Sequence, residues 1–191
     1  MKNPSVYTTV ISKNIATGER ERDDYYATDP KSVEALLKVE SFSHYIWEPA
    51  CGEGHISKVL EAAGYDVLST DLVYRGFGDE KPFNFLVTDE TIMDDIVTNP
   101  PYSLAMEFVY KALEILRMGG KCAMLLKIQF LEGKARAELF KKYPPKIVYV
   151  FSERQICAKN GDFAATKGSA VCYAWFVWEK GFQGDPVIKW I

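Results

Sequence analysis

The chain has 191 residues, 48% of them hydrophobic and 26% charged, with a formal net charge of −3. This is enough chain for one well-buried core and too little for two full domains, and the balance is that of an ordinary globular protein. No apolar run approaches the roughly 18 residues that a membrane span needs, and Met1-Lys2-Asn3-Pro4-Ser5 lacks the apolar stretch of a secretory signal, so a cytoplasmic location with no membrane partner is expected. Cys51, Cys122, Cys157 and Cys172 form no close pair, and the chain has only two histidines. No metal site is therefore expected, and the thiols read as reduced.

In chain order, residues 1–24 are polar and read as a flexible arm ahead of one domain over 25–191. Ser32 to Val39 has apolar residues at helical spacing, with Asp29 or Ser32 as cap and Pro30 in the first turn. Tyr45-Ile46-Trp47 reads as a buried strand that ends in the turn Glu48-Pro49-Ala50-Cys51-Gly52-Glu53-Gly54. The helix after it carries Ile56, Val59, Leu60 and Ala63 on one face and stops at Gly64.

Asp66 to Thr70 is the next strand, with Asp71 at its end, and Tyr74 to Pro82 reads as loop. Asp95 to Thr98 is a strand that delivers Asn99-Pro100-Pro101-Tyr102. Leu104 to Met118 is helical, Lys121 to Ile128 is a strand, and Glu132 to Tyr143 is a basic amphipathic helix stopped by Pro144-Pro145. Ile147 to Phe151 and Val171 to Trp178 read as the last two strands, separated by a long polar loop, Ser152 to Ser169. Strands alternating with helices predict an α/β fold with a mostly parallel sheet. Ligands of such sheets bind at the carboxyl ends of the strands, and the glycine turn, Asp71 and Asn99–Tyr102 all fall there.

The net charge gives no support to a nucleic-acid partner, but its distribution is uneven. Glu48 to Asp95 holds eleven acids and three bases, whereas Lys127 to Lys167 holds nine bases and four acids. The basic half suits a phosphate backbone; a solvated helix face plus a loop accounts for it equally well.

The glycine turn brings backbone and free N–H groups close to a ligand, and a carboxylate at Asp71 suits the two hydroxyls of a ribose. Gly52-Glu53-Gly54 lacks the third glycine of the dinucleotide fingerprint, so a pyrophosphate is not favoured. In Asn99-Pro100-Pro101-Tyr102, two prolines fix the backbone and remove two N–H donors. The Asn99 side-chain oxygen and the Pro100 carbonyl then form an acceptor pair for the two hydrogens of an aromatic amine. Held so, its nitrogen moves toward tetrahedral geometry and its lone pair localises. Tyr102 offers a flat face for stacking.

Together, Glu48–Gly54 and Asn99–Tyr102 resemble the motifs of amino-methyltransferases, above all the small phage and prophage DNA adenine-N6 methyltransferases. The resemblance runs from Tyr26 to the end, and Tyr173-Ala174-Trp175-Phe176-Val177-Trp178-Glu179-Lys180-Gly181 looks like the closing strand of those proteins. It implies a Rossmann-like class I methyltransferase fold: a seven-stranded, mostly parallel sheet with an antiparallel last strand and helices on both faces. It also implies S-adenosyl-L-methionine as cofactor, in the cytoplasm of a bacterial or phage-infected cell. Glu48, Pro49, Ala50, Cys51, Gly52 and Gly54 would cradle its methionine part and Asp71 its ribose. Asn84-Phe85-Leu86 resembles the family's Asp-Phe-Leu segment at the adenine ring, with Asn84 in place of the usual aspartate. Tyr26-Ala27-Thr28-Asp29-Pro30 resembles the family's Thr-Pro segment, which puts Thr28 at the methionine carboxylate, although Asp29 interrupts the pair here. Asn99, Pro100, Pro101 and Tyr102 would be the catalytic set.

No separate target-recognition domain is expected. Only the loop Ser152–Ser169 is spare, and its Arg154, Lys159 and Phe163 suit phosphate contact and stacking on DNA; a plain surface loop is the competing reading. The reaction needs the base out of the stack, so relaxed or short-site specificity, a single-stranded preference or a homodimer is expected. The rival substrates are an RNA base and a protein glutamine, because the acceptor pair suits any planar amino group. A cofactor-binding module without catalysis is the rival from another class, and intact Asn99 and Asp71 speak against it.

Overall fold

The computed structural model describes residues 26–89, 94–153, 155, 157–159 and 171–191; the arm expected over 1–24 lies outside them. The first elements are β1 (Tyr26–Thr28), α1 (Pro30–Leu37), β2 (Tyr45–Glu48), α2 (Ser57–Ala62), β3 (Asp66–Ser69) and β4 (Asp95–Thr98). They are followed by α3 (Ala105–Ile115), β5 (Lys121–Lys127), α4 (Lys134–Lys142), β6 (Ile147–Val150), β7 (Cys157–Lys159), β8 (Tyr173–Glu179) and β9 (Val187–Trp190). Short 3₁₀ turns cover Phe85–Val87, Tyr102–Leu104 and Ile128–Leu131.

Seven strands form one sheet in the order β3-β2-β4-β5-β8-β6-β9. β2, β3, β4 and β5 pair in parallel, and β6 pairs in parallel with β9. β8 is antiparallel to both of its neighbours, β5 and β6. The α/β sheet is therefore seven-stranded and mostly parallel, as expected, with its antiparallel strand next to last in the chain. Apolar pattern alone ends the sheet at that strand and gives no sign of β9. All four β9 residues are exposed, so no apolar alternation marks them; pairing with β6 alone makes them a strand.

Side-chain alternation along β8 splits the core in two. Ala174, Phe176 and Trp178 face a cluster with Phe108, Val109, Ala112 and Leu113 of α3 and Leu139 of α4. Tyr173, Trp175 and Val177 face the other, with Val33 and Leu36 of α1 and Leu60 of α2. Helices thus cover both faces, and burying large apolar side chains on each is the main stabilising force.

Buried Asp95 staples the lower end of the sheet, accepting from Ser43 N at 2.6 Å and Lys121 N at 2.7 Å. Asp29 caps α1 through Lys31 N at 3.0 Å, with Pro30 in the first turn. That cap is legible in the sequence.

The loop expected over Ser152–Ser169 is not all loop. Its residues Cys157–Lys159 form β7, which pairs antiparallel with β1 in a separate two-stranded sheet, Thr28 opposite Cys157 and Tyr26 opposite Lys159. Ser32 Oγ meets Gln155 Oε1 at 3.1 Å and adds a second tie. Three-residue strands carry too little periodicity to be read from sequence.

Candidate active site

Because β2, β3, β4 and β5 are parallel, their carboxyl ends lie along one edge of the sheet, and that edge gathers the distinctive residues. At the end of β2, Glu48 is buried, with 1% of its surface exposed. Its carboxylate accepts from Ser57 N at 2.8 Å and from Ser57 Oγ, and Ser57 Oγ lies 2.6 Å from Ser69 Oγ. Burial pushes the Glu48 carboxyl well above its ordinary range; the Ser57 hydrogen bonds pull the other way, while Asp71 and Glu61 raise it further. Glu48 therefore faces the start of α2 and fixes the turn from beneath.

The turn itself is held by Cys51 N to Thr70 O at 3.0 Å and Thr70 N to Glu48 O at 3.0 Å. Gly52 and Gly54 take φ of 54° and 78°, a region costly for any residue with a Cβ. Pro49, Cys51, Gly52 and Gly54 are buried and Ala50 is half-buried. The Cys51 thiol is pushed up to about 12, chiefly by burial and then by the charges of Glu48 and Asp71. It stays protonated at neutral pH, which argues against a nucleophilic role.

Asp71 sits beside this turn as expected, and its carboxylate is already oriented. Oδ2 accepts from Gly52 N at 2.8 Å and Oδ1 from Val73 N at 2.9 Å, with Arg75 Nη1 3.5 Å from Oδ1. Sequence reasoning misses Arg75 because it lies in an apparent loop, and it misses Phe77 for the same reason. A Cβ built on Gly54 would run into the Phe77 ring, and Lys58 Nζ lies 4.8 Å from the centroid of that ring. The one usable signal is Gly76-Phe77-Gly78, an aromatic between two glycines that both take positive φ.

Gly54→Ala is accordingly expected to lower cofactor affinity at least about tenfold, because the methyl group displaces Phe77 and strains the φ. Combining it with Phe77→Ala should recover only the part due to the ring. Titration calorimetry with S-adenosylmethionine measures both, and an unchanged affinity in Gly54→Ala would remove this turn from the site.

At the end of β4, Asn99 Nδ2 donates to Thr28 Oγ1 at 3.0 Å. This bond turns the amide nitrogen toward β1 and so directs the side-chain oxygen away from it. Thr28, expected on the cofactor, has its hydroxyl on Asn99 instead, with 2% of the residue exposed. Pro100 is buried and Pro101 and Tyr102 are half-buried. The Tyr102 ring lies 5.9 Å from the Tyr173 ring, and Lys127 Nζ sits 4.7 Å from its centroid. Part of the expected stacking surface is therefore already covered.

Asn84 uses its Oδ1 to accept from Leu86 N at 3.1 Å, capping the turn Phe85–Val87. Phe85 is 2% exposed and packs on Trp47 and Phe108, so its ring belongs to the core. Arg154, Phe163 and the side chain of Lys159 lie outside the described residues.

The sequence matches no protein-family model and no curated protein. Solved structures do match. A methyltransferase subunit of a type I restriction-modification system from Streptococcus thermophilus superposes with a TM-score of 0.60 at 10% identity, over 88% of this chain and 48% of that one. A Listeria monocytogenes protein assigned to the class I S-adenosylmethionine-dependent methyltransferases gives 0.57 at 12% identity, over 85% and 64%. The fold is that of the class I methyltransferases. A Pyrococcus horikoshii protein assigned as an RNA methyltransferase gives 0.56 at 11% identity, over 78% and 81%. The chain spans about half the length of the Streptococcus subunit and under two thirds of the Listeria protein. At these identities the likeness establishes the fold alone.

Proposed function

We propose that this chain is an S-adenosylmethionine-dependent methyltransferase of an exocyclic amino nitrogen, and that its substrate is adenine N6 in DNA. The observation that carries the reading is the orientation of Asn99. Its amide is turned by Thr28 so that the oxygen faces away from β1, at the same strand-end edge as the glycine turn and Asp71.

The residues present fit the cofactor. Asp71 is a carboxylate oriented by Gly52 N–H, suited to a ribose diol, and the turn Glu48–Gly54 brings backbone close through two positive-φ glycines. Glu48 holds that turn through Ser57, while Pro49, Ala50, Cys51, Gly52 and Gly54 make up the turn that would meet the methionine part. Thr28 contributes through Asn99, and Asn84 and Phe85 shape the adenine side from the Phe85–Val87 turn. S-adenosylmethionine supplies an electrophilic methyl carbon on a sulfonium.

Asn99 and the Pro100 carbonyl accept the two amino hydrogens, and Pro101 keeps competing donors away. So held, the nitrogen would present a localised lone pair to the methyl carbon that bound S-adenosylmethionine would supply, the carbon–sulfur electron pair remaining with sulfur. The extra proton leaves to water. Positioning and preorganised acceptors account for most of the acceleration.

Nucleic acid as substrate is supported by the fold shared with a restriction-modification methyltransferase subunit and an RNA methyltransferase assignment. Arg154, Lys159 and Phe163 are the candidates for contacting the strand. Among the described residues no helix is long and apolar enough to cross a membrane. Transfer of a labelled methyl group to purified DNA, RNA and release factor, with digestion of the product, tests the reading. N6-methyladenine in DNA is expected, and its absence from every DNA substrate overturns that assignment.

A further inference from the structure

We propose that Lys127 grips a phosphate of the target nucleotide and so selects nucleic acid over a protein glutamine. The proposal rests on the reading above of an amino-methyltransferase and names the substrate class of the same site. Lys127 is the last residue of β5, directly beside β4, which Asn99 follows. Its ammonium lies 4.7 Å from the Tyr102 ring centroid, so a positive charge stands beside the Asn99–Tyr102 segment. Tyr173, opposite Lys127 in the β5–β8 ladder, is 5% exposed and backs the Tyr102 ring.

A half-buried ammonium on an aromatic face is placed by its surroundings, and the ring quadrupole helps to hold it there. An anionic group arriving next to Tyr102 meets that charge; a neutral amide side chain gains nothing from it. An extruded nucleotide whose base reaches Asn99 carries a phosphate with it by its own covalent structure. Further bases follow along the chain. The turn Ile128–Leu131 leads into α4, whose first residues include exposed Lys134 and half-buried Arg136, the latter 5.4 Å from the Phe130 ring. The strand's backbone would run from Lys127 toward these two.

The test pairs a protein change with a substrate change. Lys127→Met keeps the apolar stem and removes the charge. Wild type is compared with it on single-stranded oligonucleotides carrying one neutral methylphosphonate in turn at each linkage flanking the target adenine. In wild type, one such linkage should raise KM about tenfold. Lys127→Met should have the raised KM on unmodified DNA and no further rise with that linkage, with kcat held within about twofold. The slope of log KM against log salt should fall by about 0.7, the value for one phosphate contact on a single strand. Lys127→Arg should recover most of the loss. Affinity for S-adenosylmethionine should not move.

Additive effects of the two changes overturn the proposal, as does a fall in cofactor affinity, which would assign Lys127 to the cofactor. Should Lys127→Met fold poorly, the methylphosphonate scan on wild type decides alone, and no effect at any linkage overturns it. Methylation of a glutamine peptide with no nucleic-acid product overturns it too, while leaving the methyltransferase class standing. Absence of methyl transfer to every substrate removes the underlying reading instead.

Discussion

Asn99→Ala should lower methyl transfer at least about tenfold while leaving affinity for S-adenosylmethionine within about twofold. The expected loss is the scale of one oriented hydrogen bond to the reacting group, because the substitution removes one of two acceptors and touches none of the turn Glu48–Gly54. The split between the two readouts is the informative part. A parallel Thr28→Val variant separates the roles of this pair. With Thr28 acting through Asn99, as the 3.0 Å bond between them indicates, Thr28→Val loses turnover to a smaller degree and keeps cofactor affinity. A drop in cofactor affinity in Thr28→Val would return Thr28 to the cofactor site. Radiolabel transfer and calorimetry together decide it, and unchanged turnover in Asn99→Ala would show that Asn99 is not the acceptor.

Glu48 carries the second large effect, on stability. Glu48→Ala leaves Ser57 N–H and the Ser57 and Ser69 hydroxyls without the carboxylate that now organises them, at a cost of about 2–3 kcal/mol for unsatisfied buried groups. For a chain of this length that corresponds to a melting temperature lower by roughly 5–10 °C. Glu48→Gln keeps an acceptor toward Ser57 and behaves differently with pH. The wild-type carboxyl titrates in the folded state above its ordinary value of 4.5, chiefly because it is buried. Its contribution to stability is thus complete below that value and is lost as pH rises through the folded-state pKa. The glutamine variant has no such loss, so its melting temperature should gain on wild type as pH rises from acid toward neutral. Thermal unfolding across that range measures the gap. A constant gap would mean that the Glu48 charge carries no penalty in the fold.

Much of the site is legible in the sequence. A glycine turn between a strand and a helix, an acid at the end of the next strand and two prolines after a third each break a periodic pattern. Departures from pattern of that kind are where chemistry is placed. The alternation of strand and helix is legible for the same local reason, since apolar periods of two and of 3.6 survive in the sequence. Contact between segments far apart in the chain leaves no such mark. Thr28 meets Asn99 across 71 positions, and β1, which carries Thr28, pairs with β7, hidden in an apparent loop.

Phe77 and Lys127 belong to the same class. One is an ordinary aromatic in a loop and the other an ordinary strand-end lysine until folding sets them against Gly54 and Tyr102. Glu48 shows the opposite error. Its motif position suggests a group open to ligand, and burial turns it toward Ser57 instead. By itself the sequence determined the α/β class and picked out the residues proposed for the amine and the cofactor, because these rest on local periodicity and backbone constraint. Only the tertiary structure decided which side chains orient them, because hydrogen bonding and burial between distant segments depend on how the whole sheet closes.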